Sequence, residues 1–404
     1  MIKTTVCIVG AGPAGVILSY LLAKNGIDCV LVEAQKDFDR DFRGDTLHYS
    51  VMENIHQMGL ANNLLATVPH YTMRKMFLDT PKGRLPLVDF ERINTPFPYV
   101  TVMPQQDFLS FVTTESTAYD NFHLMMRTVA QELVRDENGR ICGVQVRQNN
   151  ELKQINADLV VACDGRSSKL RRLAGLQVDL LTDPLDVLWF RLPKFDNDPE
   201  LQIGGGFSGG STPVVVIERH DHYQMGIVVA NGQYRQLKSK GLEELHHRIV
   251  QSIPQFEDRV NHVDSWRKVS YLKVTGSRLK QWHKDGMLLI GDAAHVMTPL
   301  GGVGINYAIQ DAIVAANVLL EPLKSGQLQS GHFEEIQNQR QRPTRWMQFF
   351  QTQAQKRILD PARTDDTPFE FPRFMRWLPR IPLLRDLLPR MIGSGLSRVE
   401  VKVA

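Results

Sequence analysis

The chain has 404 residues, 43% of them hydrophobic, which suits one large domain or two intimately joined ones with a substantial core. Lys and Arg number 47 against 44 Asp and Glu, and a net charge of +3 argues against a dedicated nucleic-acid binder. Cys7, Cys29, Cys142 and Cys163 form no CxxC pair and lie in apolar runs, so they read as buried core residues in a reducing, cytoplasmic compartment.

The N-terminal apolar run, Thr5 to Gly10, has no basic leader and passes straight into a glycine-rich turn, as a buried strand does and a signal peptide does not. No uninterrupted apolar stretch is long enough to span a membrane. The helix after the turn is expected to stop at Asn25-Gly26, and IDCVLVEA is a second apolar strand. Two such strands joined by a helix imply a right-handed crossover in a parallel sheet covered on both faces. Short strands follow over 71–100, around a Pro81-Lys82-Gly83 turn. QQDFLSFVTTESTAY reads as a helix, and strands with a turn at Glu137-Asn138-Gly139 lead to ADLVVACDG, another buried strand.

From 176 to 270 apolar runs alternate around glycine clusters such as Gly204-Gly205-Gly206, which predicts a mostly antiparallel sheet in a separate layer. MLLIG returns to a short buried strand, a helix is expected over 304–320, and the tail from 330 is helical with proline breaks. The expected fold is α/β with an α+β second layer. A Rossmann-like, parallel-sheet domain (1–70, 101–175 and 272–345) is interleaved with an antiparallel substrate domain (71–100 and 176–271), and 346–404 form a helical C-terminal segment.

Three segments carry chemistry. The first is Gly10-Ala11-Gly12-Pro13-Ala14-Gly15 with Glu33 eighteen residues beyond Gly15. Gly10 permits the tight turn, Gly12 lets backbone approach a pyrophosphate, and Gly15 permits close helix–strand packing. The helix N-terminus offers unpaired N–H groups and partial positive charge, and Glu33 is placed to accept from ribose hydroxyls. The second is Gly291-Asp292-Ala293-Ala294-His295, running on through Pro299, Gly302, Gly304, Ile305 and Asn306. Asp292 closes a strand where ligands bind in parallel sheets, and the glycines open a helix whose N–H groups suit an anionic edge. The third is Asp164-Gly165-Arg166 after ADLVVAC, a turn beside which Arg166 adds a cation; its plainer reading is an Asp-capped helix start.

In this order the segments resemble the para-hydroxybenzoate hydroxylase family of class A flavoprotein monooxygenases, over about residues 1–345. The resemblance implies bound FAD, with the N-terminal glycines on its pyrophosphate and the 291–306 segment on its ribityl chain and flavin ring. Asp164, Gly165 and Arg166 would lie by the pyrophosphate and serve NAD(P)H as well. Arg43 and Gln105 fall where the family places a flavin-contacting arginine and an Arg or Gln near the ribityl chain. The implied reaction is hydroxylation of an aromatic or polyketide-like small molecule with NAD(P)H and O2 through a flavin C4a-hydroperoxide, which must be kept from water.

Pro299 would border the reaction site, and no obligate catalytic side chain is required there. A base for a phenolic substrate is available by type in His48, Tyr49, His220, His222 and Tyr223. No metal is expected. Other flavoproteins share these motifs. They include geranylgeranyl-reductase-like enzymes, halogenases and redox-sensing FAD proteins, although the WxWxIP segment of halogenases is absent and Trp189, Trp266 and Trp282 sit in other contexts. The tail interleaves Arg373, Arg376, Arg380, Arg385 and Arg390 with apolar residues. Its prolines disfavour a membrane-surface helix, so it reads as short helices packed on the substrate domain.

Overall fold

The structure is a computed structural model, and it describes all residues except 40–44, 81–82, 182–184, 199–205, 209–213, 220, 230–231, 357–385, 396 and 404. Ile2–Val9 and Cys29–Val32 are the first two strands, joined by helix Pro13–Lys24, as the apolar runs predict. They lie in a sheet ordered His283–Lys284, Met287–Leu289, Glu151–Ala162, Ile2–Val9, Cys29–Val32, Phe122–Met125. All of these pairs are parallel except the edge hairpin. ADLVVA proves to be the second half of the twelve-residue strand Glu151–Ala162, whose first half pairs antiparallel with Ile141–Gln148.

A second sheet of seven strands runs in the order Ser270–Val274, Leu185–Pro193, His222–Val229, Val214–Glu218, Gly206–Ser208, Lys75–Thr80, Gly83–Asp89. It is antiparallel except where Gly206–Ser208 meets Lys75–Thr80. One face packs Leu188, Phe190, Met225 and Ile227 against Leu245 and Ile249. These last residues belong to helix Leu242–Ser252, which with Gln233–Lys240 adds two helices to a region expected to be strand-rich. Leu242, Leu245, Ile249 and Ile253 recur at helical spacing, so the signal was present in the sequence. The opposite face of the sheet carries Val187, Trp189 and Val228.

Helix Gly304–Lys324 fills the space under the first sheet, against Pro13–Lys24. By length and composition it could cross a membrane, but 83% of its apolar window is buried in the protein. Behind its first turns lies a closed ionic cluster. Asp311, fully buried, accepts from the Gly291 N–H (3.0 Å), His295 Nε2 (2.6 Å) and Arg340 Nε (2.7 Å). Burial alone would raise its pKa, but the His295 and Arg340 charges and hydrogen bonds outweigh burial and hold it below the usual range. Arg340, on helix Ser330–Ala354, also donates to Gln310 Oε1 at 2.9 Å.

In the described part of the tail, helix Leu387–Ser394 docks on helix Tyr49–Gln57 and also meets strand Gly83–Asp89 of the second sheet, and Asp386 just before it pairs with Arg92 at 3.0 Å. Gly393 sits so close to the Tyr49 ring that a Cβ would overlap it. Asn54, Gln57 and Asn317 then bond to the backbone of 399–402. Arg373, Arg376, Arg380 and Arg385 lie outside the described residues, and Arg390 is exposed. Cys7, Cys29 and Cys163 are buried as expected, whereas Cys142 is only half-buried because its strand is the antiparallel extension.

Breaking the ionic cluster leaves Arg340 buried without a compensating charge. Asp311→Asn is expected to lower stability by about 3–5 kcal/mol in urea unfolding.

Candidate cofactor and substrate site

One cavity of about 860 Å³ joins the three motif segments to the inner face of the second sheet. Gly10, Gly12, Pro13, Ala14, Glu33, Gln105, Asp164, Gly165, Arg166, Gly291, Asp292, Pro299, Gly302, Gly304 and Ile305 all line it. Gly15 does not, nor does Asn306, and Arg43 falls outside the described residues.

The three N-terminal glycines differ in what a side chain would meet. Gly10 has φ +104°, and a Cβ there would run into the Cys163 carbonyl. A Cβ on Gly15 would overlap the Gly10 carbonyl oxygen, so this glycine serves helix–strand packing. Around Gly12 no protein atom lies within 4 Å of that position. Protein packing therefore gives no reason for glycine at 12, and an occupant of the cavity does. Helices Pro13–Lys24 and Gly304–Lys324 both start at the cavity without a side-chain cap, leaving first-turn N–H groups for an anionic ligand. These features fit a dinucleotide such as FAD.

Glu33 is buried, with Oε2 accepting from Ala11 N and Oε1 from Gln35 N, both at 2.9 Å. It ties the glycine turn to the second strand while still facing the cavity. Asp164 is more committed than expected. Its carboxylate accepts from Ser168 Oγ (2.5 Å), Lys169 N (2.7 Å) and Leu170 N (3.1 Å), which is the capping reading. Arg166 reaches across the cavity mouth and donates to the Lys273 carbonyl of the second sheet at 3.1 Å.

Sequence reading missed Arg171. Its guanidinium donates to the Ala293 carbonyl (2.9 Å) and the Arg166 carbonyl (2.8 Å), locking two ligand-facing turns together. Asn306 works from behind the wall. It accepts from His48 N (2.8 Å) and donates to the Thr46 (3.0 Å) and Gly302 (3.1 Å) carbonyls. The buried Asp45–Arg219 ion pair, which joins the two layers, carried no sequence signal either. Burial pushes Asp45 up to about 6 against the lowering effect of Arg219, which leaves it ionised at pH 7.

Of the base candidates, His48 lines the cavity. Its Nδ1 meets the Ile392 carbonyl at 2.8 Å, so the C-terminal helix forms part of the wall. Burial depresses its pKa to about 4, against contacts with the Ile392 and Gly301 backbone, so the ring is neutral at pH 7. Tyr49 packs on Gly393, His222 pairs with Asp221 (2.7 Å), and Tyr223 packs on Phe256 on the far face of the sheet. His220 lies outside the described residues.

Residues 3–349 match the model of the FAD binding domain family. The chain is 30% identical over 403 residues to 6-methylpretetramide 4-monooxygenase of Streptomyces rimosus, covering 99% of this chain and 94% of that enzyme. It is 24% identical to pentachlorophenol 4-monooxygenase of Sphingobium chlorophenolicum, covering 76% of this chain and 56% of that enzyme. Its fold is similar to that of PqsL of Pseudomonas aeruginosa in complex with 2-aminobenzoylacetate, with a TM-score of 0.78, 19% identity, and coverage of 89% of this chain and 98% of that one.

Gly12→Val is expected to abolish flavin binding while the apo-protein melts as wild type does, whereas Gly15→Val should lower the melting temperature itself. Flavin absorbance and calorimetric melting separate the two. His48 gives a pH signature. The unfolded state takes up its proton near pH 6.5 and the folded state only near 4, so stability falls as pH drops through that window, by up to about 3 kcal/mol. Urea titrations from pH 7 to 4 should show a flatter limb in His48→Asn.

Proposed function

The chain belongs to the FAD binding domain family and is an FAD-dependent monooxygenase; from that premise we propose that it hydroxylates an aromatic, polyketide-like small molecule in the cytoplasm, drawing electrons from NAD(P)H. The observation that carries this reading is the continuity of the cavity, which runs from the motif turns to an apolar pocket under the second sheet. The 6-methylpretetramide enzyme, alike along nearly its whole length, supports the substrate class.

FAD would be held by Gly12 and the first turn of Pro13–Lys24, by Glu33, by Asp292, and by the N–H groups that open Gly304–Lys324. When bound there it supplies hydride acceptance and oxygen activation. The residues around it position, desolvate and exclude. Met297, Pro299 and Leu300 form one wall and the second sheet the other, so a small molecule between them is removed from bulk water. His48, neutral at pH 7 and fixed by its Ile392 contact, lines the wall as a polar ring, but burial makes it too weak a base to take a phenolic proton.

No second glycine-rich βαβ fingerprint follows residue 33 in the sequence. NAD(P)H therefore docks across the cavity mouth, where Arg166 stands. Arg166→Ala should slow reduction by NAD(P)H more than it slows the reaction of dithionite-reduced enzyme with oxygen, in stopped-flow traces at matched flavin content. Equal slowing would assign Arg166 to the fold alone. The reading as a whole is tested by substrate-dependent oxygen uptake with NAD(P)H and by product mass. Flavin-loaded protein that adds oxygen to no ring compound would overturn it.

A further inference from the structure

The C-terminal segment reaches the cavity at one residue. Among the described residues beyond Ala308, Ile392 alone lines it. Its helix, Leu387–Ser394, is held there by backbone. The Ile392 carbonyl lies 2.8 Å from His48 Nδ1, and the Gly393 carbonyl accepts from Ser50 Oγ at 2.5 Å. Two glycines make the approach close. A Cβ on Gly393 would stand 2.0 Å from a ring carbon of Tyr49, and one on Gly395, at φ +67°, would stand 2.7 Å from Tyr307 Oη. The chain is pinned on both sides of the helix. Asp386 pairs with Arg92 at 3.0 Å ahead of it; beyond it Asn54 donates to the Val399 carbonyl at 2.7 Å and Asn25 to the Val403 carbonyl at 2.7 Å. A helix held this way does not retreat cheaply from a bulky ligand, so the side chain at 392 meets that ligand directly.

Ile392 is half-buried and packs against the apolar cluster that contains Met73, Phe90 and Val100, which line the cavity as well. The His48 ring that meets its carbonyl also meets the Gly301 backbone. Ile392 and the Pro299–Gly302 turn therefore flank one imidazole. We propose that Ile392 is a specificity residue: its branched side chain bounds the substrate end of the cavity beside Pro299–Gly302, and its bulk sets how large a ring compound is accepted. This rests on the functional reading above and deepens it by naming the residue that limits substrate size. An aliphatic wall ranks ligands by fit rather than by polar contact. A small ring keeps its contact only while the wall is close, and a large one enters only if the wall stands back. The hydrogen bonds that dock the helix run through backbone carbonyls, so a change of side chain at 392 leaves them in place.

The test is calorimetric binding to FAD-loaded protein of phenol, 1-naphthol and alizarin, as one-, two- and three-ring probes, read as the ratio of alizarin to phenol affinity. Ile392→Trp should lower this ratio about tenfold or more by excluding alizarin, and Ile392→Ala should raise it about threefold or more by taking the wall away from phenol. 1-Naphthol should fall between the two. Leu388, in the same helix, packs on the same core without lining the cavity, so Leu388→Ala should leave the ratio unchanged. Flavin content and melting temperature report folding, and Ile392→Ala carries the test if Ile392→Trp does not fold. A ratio that neither Ile392 variant moves, equal weakening of all probes, or a Leu388→Ala protein that reproduces the Ile392→Ala shift overturns the proposal. So does a wild type that binds none of the probes. In each of these cases substrate-dependent hydroxylation by the wild type would leave the functional reading standing. Opposite shifts of the ratio in a protein that adds oxygen to no ring compound would instead support the role of Ile392 and overturn the functional reading.

Discussion

Asp311 carries a negative charge where no solvent reaches it, and the site depends on how that charge is neutralised. His295 and Arg340 close on it from two directions, and its remaining capacity is taken by the Gly291 N–H. That N–H opens the turn that presents Asp292 to the cavity. The same aspartate belongs to helix Gly304–Lys324, whose uncapped first turn faces the same space. One buried carboxylate therefore sets the strand end, the helix and the following helix Ser330–Ala354 in register. Such a cluster is costly to assemble and more costly to break, which favours one geometry over near alternatives.

From that anchor the other ligand-facing segments are tied in sequence. Arg171 joins the Arg166 turn to Ala293, and Asn306 joins the glycine loop to Thr46 and His48. His48 in turn meets Ile392 of the C-terminal helix. Side chains that face away from the cavity thereby position backbone that faces into it. The cavity wall is largely backbone N–H and apolar side chain, as suits a site where a cofactor carries the chemistry and the protein provides orientation and exclusion.

The two layers meet at few polar points, Asp45–Arg219 and Arg166 to Lys273 among them. Both lie at the border of the cavity rather than in either core. The second sheet keeps its outer face under helices 233–252, and its inner face carries Trp189 beside Val187 and Val228. This division lets the substrate wall vary without disturbing the nucleotide-binding sheet.

The sequence by itself determined what short-range chemistry controls. The run Thr5–Gly10, the glycines at 10, 12 and 15, the acid at 33 and the strand ending at Gly291-Asp292 each declare themselves through spacing, because backbone approach and helix polarity act over a few residues. The parallel first sheet and the mostly antiparallel second one were legible for the same reason, since apolar runs and turns report local pairing. Tertiary structure alone decided the rest. Asp311, Arg171 and Arg340 looked like ordinary charges until burial forced each to find partners far along the chain. Ile392 and its helix became part of the wall by docking on Tyr49–Gln57, and Trp189 packs beside the cavity because Gly226, 37 residues away, leaves it room. Those outcomes depend on contacts between distant segments, whose energies no local pattern records.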